Sequence, residues 1–133
     1  MRNPENVFHL AIPCHDLEEA QKFYVDKLKC RLARRYEDRI TLDFFGDQLV
    51  CHLSPDDVDR EPRTYPRHFG ITFRKRQDFE ALIRLVQEQS LSFIREPHLR
   101  FDGLKEEHQT CFLADPSNNV LEFKYYFDPS MMY

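Results

Sequence analysis

The sequence predicts an α+β fold in which one βαβββ module is followed by a second of the same order. Three observations predict it. Short segments alternate apolar and polar residues with the two-residue period of a half-buried strand. Two longer segments carry apolar residues at helical spacing. The order strand, helix, three strands then occurs twice within 133 residues.

The first strand is "VFHLAIP", residues 7–13, where Phe8, Leu10 and Ile12 share one face and His9 and Ala11 the other. A histidine at the centre of such a strand is either a hydrogen-bonded core residue or a functional one. In "CHDLEEAQKFYVDKL", Asp16 is placed to cap a helix, with Glu19 three residues on as its capping-box partner. Leu17, Ala20, Phe23, Tyr24 and Leu28 then form one apolar stripe. Three strands follow at 30–36, 39–45 and 48–53, with "ED" and "GD" as turns. Residues 54–66 are polar and interrupted by prolines, which predicts a linker.

The order then repeats. "RHFGITF" (67–73) is a strand, and 77–89 is a helix carrying Phe79, Leu82, Ile83 and Val86 on its apolar side. "LSFIREP" (91–97) is a strand, and 98–108 is expected to be irregular. "QTCFLAD" and "VLEFKYY" close the set around the turn "PSNN". The segment 127–133 is expected to be peripheral. The domain reading is one domain over 1–133, with module 1 at about 7–53, the linker at about 54–66 and module 2 at about 67–126.

Composition narrows the function classes. A net charge of −4 with no basic stripe among the aromatics argues against nucleic acid as a partner. No apolar run suits a signal peptide or a bilayer span, so no membrane partner and a cytoplasmic location are expected. Cys14, Cys30, Cys51 and Cys111 are widely spaced, which predicts buried, reduced thiols rather than a zinc finger.

Four side chains break the apolar pattern at related places. His9 and His68 sit alike in the opening strand of each module, and His52 and Glu122 are read as matched in the closing strands. In each strand a bulky apolar set is free to pack on a helix, while the other face carries one His or Glu among small or polar residues. Unrelated core histidines would not be expected to recur at matched positions of a repeat. The set therefore points to a divalent metal site made of His9, His52, His68 and Glu122.

The tandem βαβββ order, "FHLAIP" leading to "DLEEAQKFYVDKL", then "HFGITF" and "DPSNNVLEF", resembles the vicinal oxygen chelate superfamily. That group includes glyoxalase I, extradiol dioxygenases, fosfomycin-resistance proteins, methylmalonyl-CoA epimerase and bleomycin-resistance proteins. The resemblance runs from Val7 to about Tyr126. It implies sheets curled into a U-shaped barrel around a divalent metal. His9 matches the first-strand ligand, His68 the ligand opening the second module, and Glu122 the carboxylate of the last strand. His52 falls where glyoxalase-like members place a second carboxylate. Family members often have Gly where this chain has Asn118 in the turn, a mild change because Asn tolerates positive φ.

A His/His/Glu set leaves several positions open on an octahedral ion, as non-haem Fe(II) oxygenases require. An imidazole at position 52 makes the centre more cationic and removes a candidate base, which disfavours isomerase chemistry. The expected function is therefore a metal-dependent, extradiol-type dioxygenase, an oxidoreductase on Fe(II) or Mn(II), acting on a small molecule that chelates through vicinal oxygens. A glyoxalase-like lyase or isomerase on Ni(II), Zn(II) or Mn(II) is the second reading. A non-catalytic binding protein of the bleomycin-resistance kind is the third. Glu122 and His52 are the candidate proton-transfer residues. His98, Arg100 and Phe101, beside the irregular stretch, are candidate substrate contacts, with a solvated loop as the alternative. The resemblance also implies a homodimer.

Overall fold

The computed structural model describes residue 3 and residues 5–133. The chain divides into two compact units, one made of residues 1–61 with 115–119, the other of 62–114 with 120–133.

In the first unit, strand β1 (His9–Cys14) leads to helix α1 (Leu17–Gln21), which continues as a π-helical segment over Lys22–Lys27. Strands β2 (Arg31–Arg35), β3 (Arg39–Phe44) and β4 (Asp47–Leu53) follow. The sheet order is β1-β4-β3-β2, with β1 parallel to β4 and the other pairs antiparallel. The predicted stripe forms: Leu17, Ala20, Phe23, Tyr24 and Leu28 are all buried. Only half of the expected capping box does. Asp16 Oδ1 accepts from the Glu19 amide at 2.9 Å, while the Glu19 carboxylate turns to His15 Nε2 at 2.8 Å. Phe8, expected on the inner face, lies one residue ahead of the strand and is 56% exposed.

Residues 115–119, the turn before the last strand, belong to this unit. The Tyr24 hydroxyl donates to Asp115 Oδ2 at 2.9 Å, and Asp115 also accepts from the Ser117 and Asn119 amides and from Asn119 Nδ2. Burial pushes the Asp115 carboxyl up, and these bonds offset that rise only in part. Asn118 takes φ 63°, the left-handed conformation foreseen for it.

The second unit holds β5 (Phe69–Phe73), α2 (Arg76–Glu88), β6 (Phe93–Arg100), β7 (His108–Ala114) and β8 (Val120–Tyr126), in the sheet order β5-β8-β7-β6. The two sheets thus have the same order and the same mixture of one parallel and two antiparallel pairings. Phe79, Leu82 and Val86 of α2 are buried, as are Leu121 and Phe123 on one side of β8. The opposite side of β8 carries Glu122 and Lys124. The four cysteines are free and buried. Burial pushes the Cys14 thiol up to about 11 and those of Cys30 and Cys111 to about 12, with Cys51 raised further still.

The stretch expected to be irregular, 98–108, is so over 101–107 and is strand at its two ends. β6 runs on through His98 to Arg100, and β7 begins at His108. Register shifts in β6, between Phe93 and Arg95 and between Arg95 and His98, blur the two-residue period that would have marked it.

Candidate metal centre

β5 and β8 pair in parallel, with Phe69 opposite Leu121 and Gly70 opposite Glu122. At Gly70 a Cβ would stand 1.8 Å from the Glu122 carbonyl oxygen, so only glycine permits this approach. The consequence is chemical. His68, immediately ahead of β5, brings Nε2 to 3.0 Å from Glu122 Oε2.

Glu122 is 5% exposed. Its Oε1 accepts from the Thr110 hydroxyl at 2.8 Å, and its Oε2 also meets Lys124 Nζ at 3.1 Å. Burial pushes its pKa up. The Thr110 bond, the Lys124 ammonium and His68 together outweigh that, and the net shift is downward. Glu122 is therefore a carboxylate at neutral pH.

His68 Nδ1 lies 2.7 Å from the Thr64 carbonyl oxygen. A carbonyl only accepts, so Nδ1 carries the hydrogen and donates it. Nε2 is left facing Glu122 Oε2. This is how metal-ligating histidines are held: one ring nitrogen donates to a fixed acceptor and the other is free to ligate. Tyr65 and Phe112 stand edge-on to the ring, with centroids 5.4 and 5.8 Å away.

His9 is exposed at the start of β1, and its Nδ1 lies 2.6 Å from Gln48 Oε1, which leaves Nε2 free in the same way. His52 is different. It is exposed, and no hydrogen bond from the described residues orients its ring. The register also revises the matching of His52 with Glu122. His9 lies opposite Gln48 and Ala11 opposite Val50, while His52 lies opposite Pro13. Counting two residues from the opening histidine of each unit, Glu122 corresponds to Val50. His52 stands four register positions from His9, about 13 Å of strand. Alternation along β4 could be read from the sequence, but its sliding position against β1 could not.

His98 and Arg100 lie on β6 opposite Thr110 and His108. Phe101 follows in the left-handed conformation at φ 55°, its ring 5.1 Å from the Arg100 guanidinium carbon. Lys124 binds Glu122. Thr64, Tyr65, Thr110 and Gln48 escaped sequence reasoning. Thr110 and Gln48 alone had a usable signal, a polar residue beside a candidate ligand in the strand pairing. His15 hydrogen-bonds at the start of α1 to Glu19 and Ser117.

The donor set of His68 and Glu122 fits two positions of a divalent ion: an oriented imidazole nitrogen and an ionised carboxylate, each with its supporting bond in place. Among the described residues no three His, Cys, Asp or Glu side chains lie together in a group that could hold a metal ion.

Two mixed sheets of identical order, each beginning at a histidine with its Nδ1 held, define a duplicated βαβββ protein. The chain belongs to the glyoxalase/bleomycin resistance protein/dioxygenase superfamily, whose family description matches residues 6–123. It is 65% identical to a glyoxalase/bleomycin resistance protein/dioxygenase from Alicyclobacillus acidocaldarius, over 100% of both chains, with a TM-score of 0.96. A lactoylglutathione lyase from Agrobacterium tumefaciens is 16% identical, covering 93% of this chain and 96% of its own, with a TM-score of 0.68. The fosfomycin resistance protein FosX of Listeria monocytogenes is 11% identical over 96% of this chain and 98% of its own, with a TM-score of 0.73. These two share the fold. No curated protein matches the sequence. Among the described residues no helix is long and apolar enough to cross a membrane.

Proposed function

We propose that the chain is a metal-dependent enzyme of the extradiol dioxygenase type, acting on a small molecule that chelates through vicinal oxygens. His68 and Glu122 would hold a divalent ion, Fe(II) or Mn(II) in preference to Ni(II) or Zn(II). The observation that carries this reading is the hydrogen bonding of the histidine. His68 has Nδ1 engaged and Nε2 left to ligate, and that nitrogen already meets an ionised carboxylate. One histidine and one carboxylate leave four positions of an octahedral ion for further ligands, substrate and dioxygen. Such an ion, when bound, would supply Lewis-acid and redox chemistry.

The chain's own residues do the rest. Thr110 holds the Glu122 carboxylate in one orientation, and the Thr64 carbonyl fixes the His68 tautomer. Tyr65 and Phe112 pack edge-on against the His68 ring and restrict its rotation. His98, Arg100 and Phe101 line the same face and would contact substrate. His52 stands outside the ligand set and would act, if at all, as a proton-transfer residue. A homodimer would follow the habit of the superfamily, and a cytoplasmic location its reduced thiols.

The test is the metal content of protein purified anaerobically, followed by oxygen uptake on a panel of catechols. Iron or manganese with uptake supports the proposal. Nickel or zinc with turnover of hemithioacetals replaces it by lyase chemistry, and failure to bind any metal after reconstitution leaves a binding protein. His52→Ala is expected to keep the wild-type metal stoichiometry, and His68→Ala to lose it.

A further inference from the structure

The face of the second sheet that carries Glu122 is unusually cationic. Reading across the strands, Arg95, Phe112, Glu122 and Gly70 form one row, and His98, Thr110, Lys124 and Thr72 the next. Arg100, His108 and Tyr126 form a third. Residues opposite one another across a strand pair point to the same side, with Cβ atoms about 5 Å apart. Glu122 is the sole carboxylate in these rows, and its charge is already engaged by Lys124 and His68.

Arg100 is held in place without being neutralised. Its Nη1 donates to the Tyr65 hydroxyl, its guanidinium lies beside the Phe101 ring, and no carboxylate among the described residues pairs with it. Tyr65 is the same residue whose ring stands against His68, so Arg100 is tied to the metal-centre end of the face. Across the strand pair lies His108, 5% exposed. Its Nδ1 donates to the Glu106 carbonyl at 2.8 Å, and its ring lies between Tyr126 and Phe101, with centroids 4.5 and 5.6 Å away. Its Nε2 has no hydrogen-bond partner among the described residues. An accessible ring nitrogen without a protein partner thus stands opposite an oriented guanidinium that no carboxylate neutralises, and both are open to a ligand.

We infer that Arg100 and His108 form a subsite for an oxyanion of the substrate, a carboxylate or a phosphate-type group. It rests on the reading that this face receives the substrate. The planar fork of Arg100 suits two oxygens of such a group, and His108 Nε2, an acceptor because Nδ1 donates to Glu106, takes a hydrogen bond from a hydroxyl of the same group or from a water it holds. The substrate would thus carry an anionic group at one end and its chelating oxygens at the other.

The test titrates the protein with inorganic phosphate and, separately, with benzoate, following the His108 ring resonances by NMR. A saturable shift of His108 with either anion is expected. Tighter binding of phosphate would indicate a phosphate-type group, and tighter binding of benzoate a carboxylate. Arg100→Gln is expected to weaken binding at least tenfold and Arg100→Lys to restore part of it. Absence of a saturable His108 shift with both anions, or wild-type affinity in Arg100→Gln, would overturn the inference. Metal content is read separately, so a protein that binds the anion but no metal refutes the enzyme reading and leaves the subsite standing.

Discussion

Replacing Gly70 by alanine tests how the metal centre is assembled. The new Cβ would meet the Glu122 carbonyl oxygen at 1.8 Å, whereas ordinary contact begins at 3.4 Å. Relief requires β5 and β8 to part by about 1.6 Å at this point, because the obstacle is backbone and cannot rotate away. The ladder bonds on either side would lengthen beyond hydrogen-bonding range. Overpacking costs about 1–3 kcal/mol and two weakened ladder bonds about 1 kcal/mol each, so a loss of about 4 kcal/mol is expected. For a chain of this size that is about 12 °C in melting temperature. The same movement would take His68 Nε2 from 3.0 Å to well outside hydrogen-bond reach of Glu122. Metal affinity should then fall at least tenfold. Urea denaturation and a Mn(II) titration of Gly70→Ala measure both quantities. A variant within 0.5 kcal/mol of wild type that binds Mn(II) equally well would refute the idea that close strand approach builds the site.

Three further outcomes are expected. Thr110→Val removes the bond to Glu122 Oε1 with little change in shape, and metal affinity measured by calorimetry should drop about 10–100-fold. Asp115→Ala strands the fully buried Tyr24 hydroxyl and the turn amides, at a cost of about 3 kcal/mol or more in chemical denaturation. Adding Tyr24→Phe should recover part of that loss, and strict additivity of the two changes would contradict the coupling. The pH dependence has two signs. Folding lowers the pKa of Glu122 below its ordinary 4.5, so its contribution is complete above that pH and is lost as pH falls through the folded value. Folding raises the pKa of Asp115 above 3.8, so its contribution declines as pH rises from 3.8 through the folded value. Denaturation of wild type and Glu122→Gln between pH 3 and 7 should converge at the acid end, and curves that stay parallel would contradict the assignment.

The sequence by itself determined the elements and their duplication. Period-two strands, the stripe through Leu17, Ala20, Phe23, Tyr24 and Leu28, and the turn at Asn118 are consequences of neighbours along the chain, which local sterics and apolar spacing reveal. It also singled out His9, His68 and Glu122, because a titratable residue among small companions on a strand breaks a visible pattern. Tertiary structure alone decided which of these side chains meet. The sliding register of parallel strands pairs Gly70 with Glu122 and sets His52 four positions from His9, and nothing local encodes that offset. The same holds for the end of β6, whose bulges hid the continuation of the predicted strand through His98 and Arg100. The residues that hold the candidate ligands in place were invisible for a simpler reason. Thr64, Thr110 and Tyr65 are ordinary residues whose roles arise from hydrogen bonds and ring contacts across the folded sheet, and a backbone carbonyl such as that of Thr64 has no sequence signature at all.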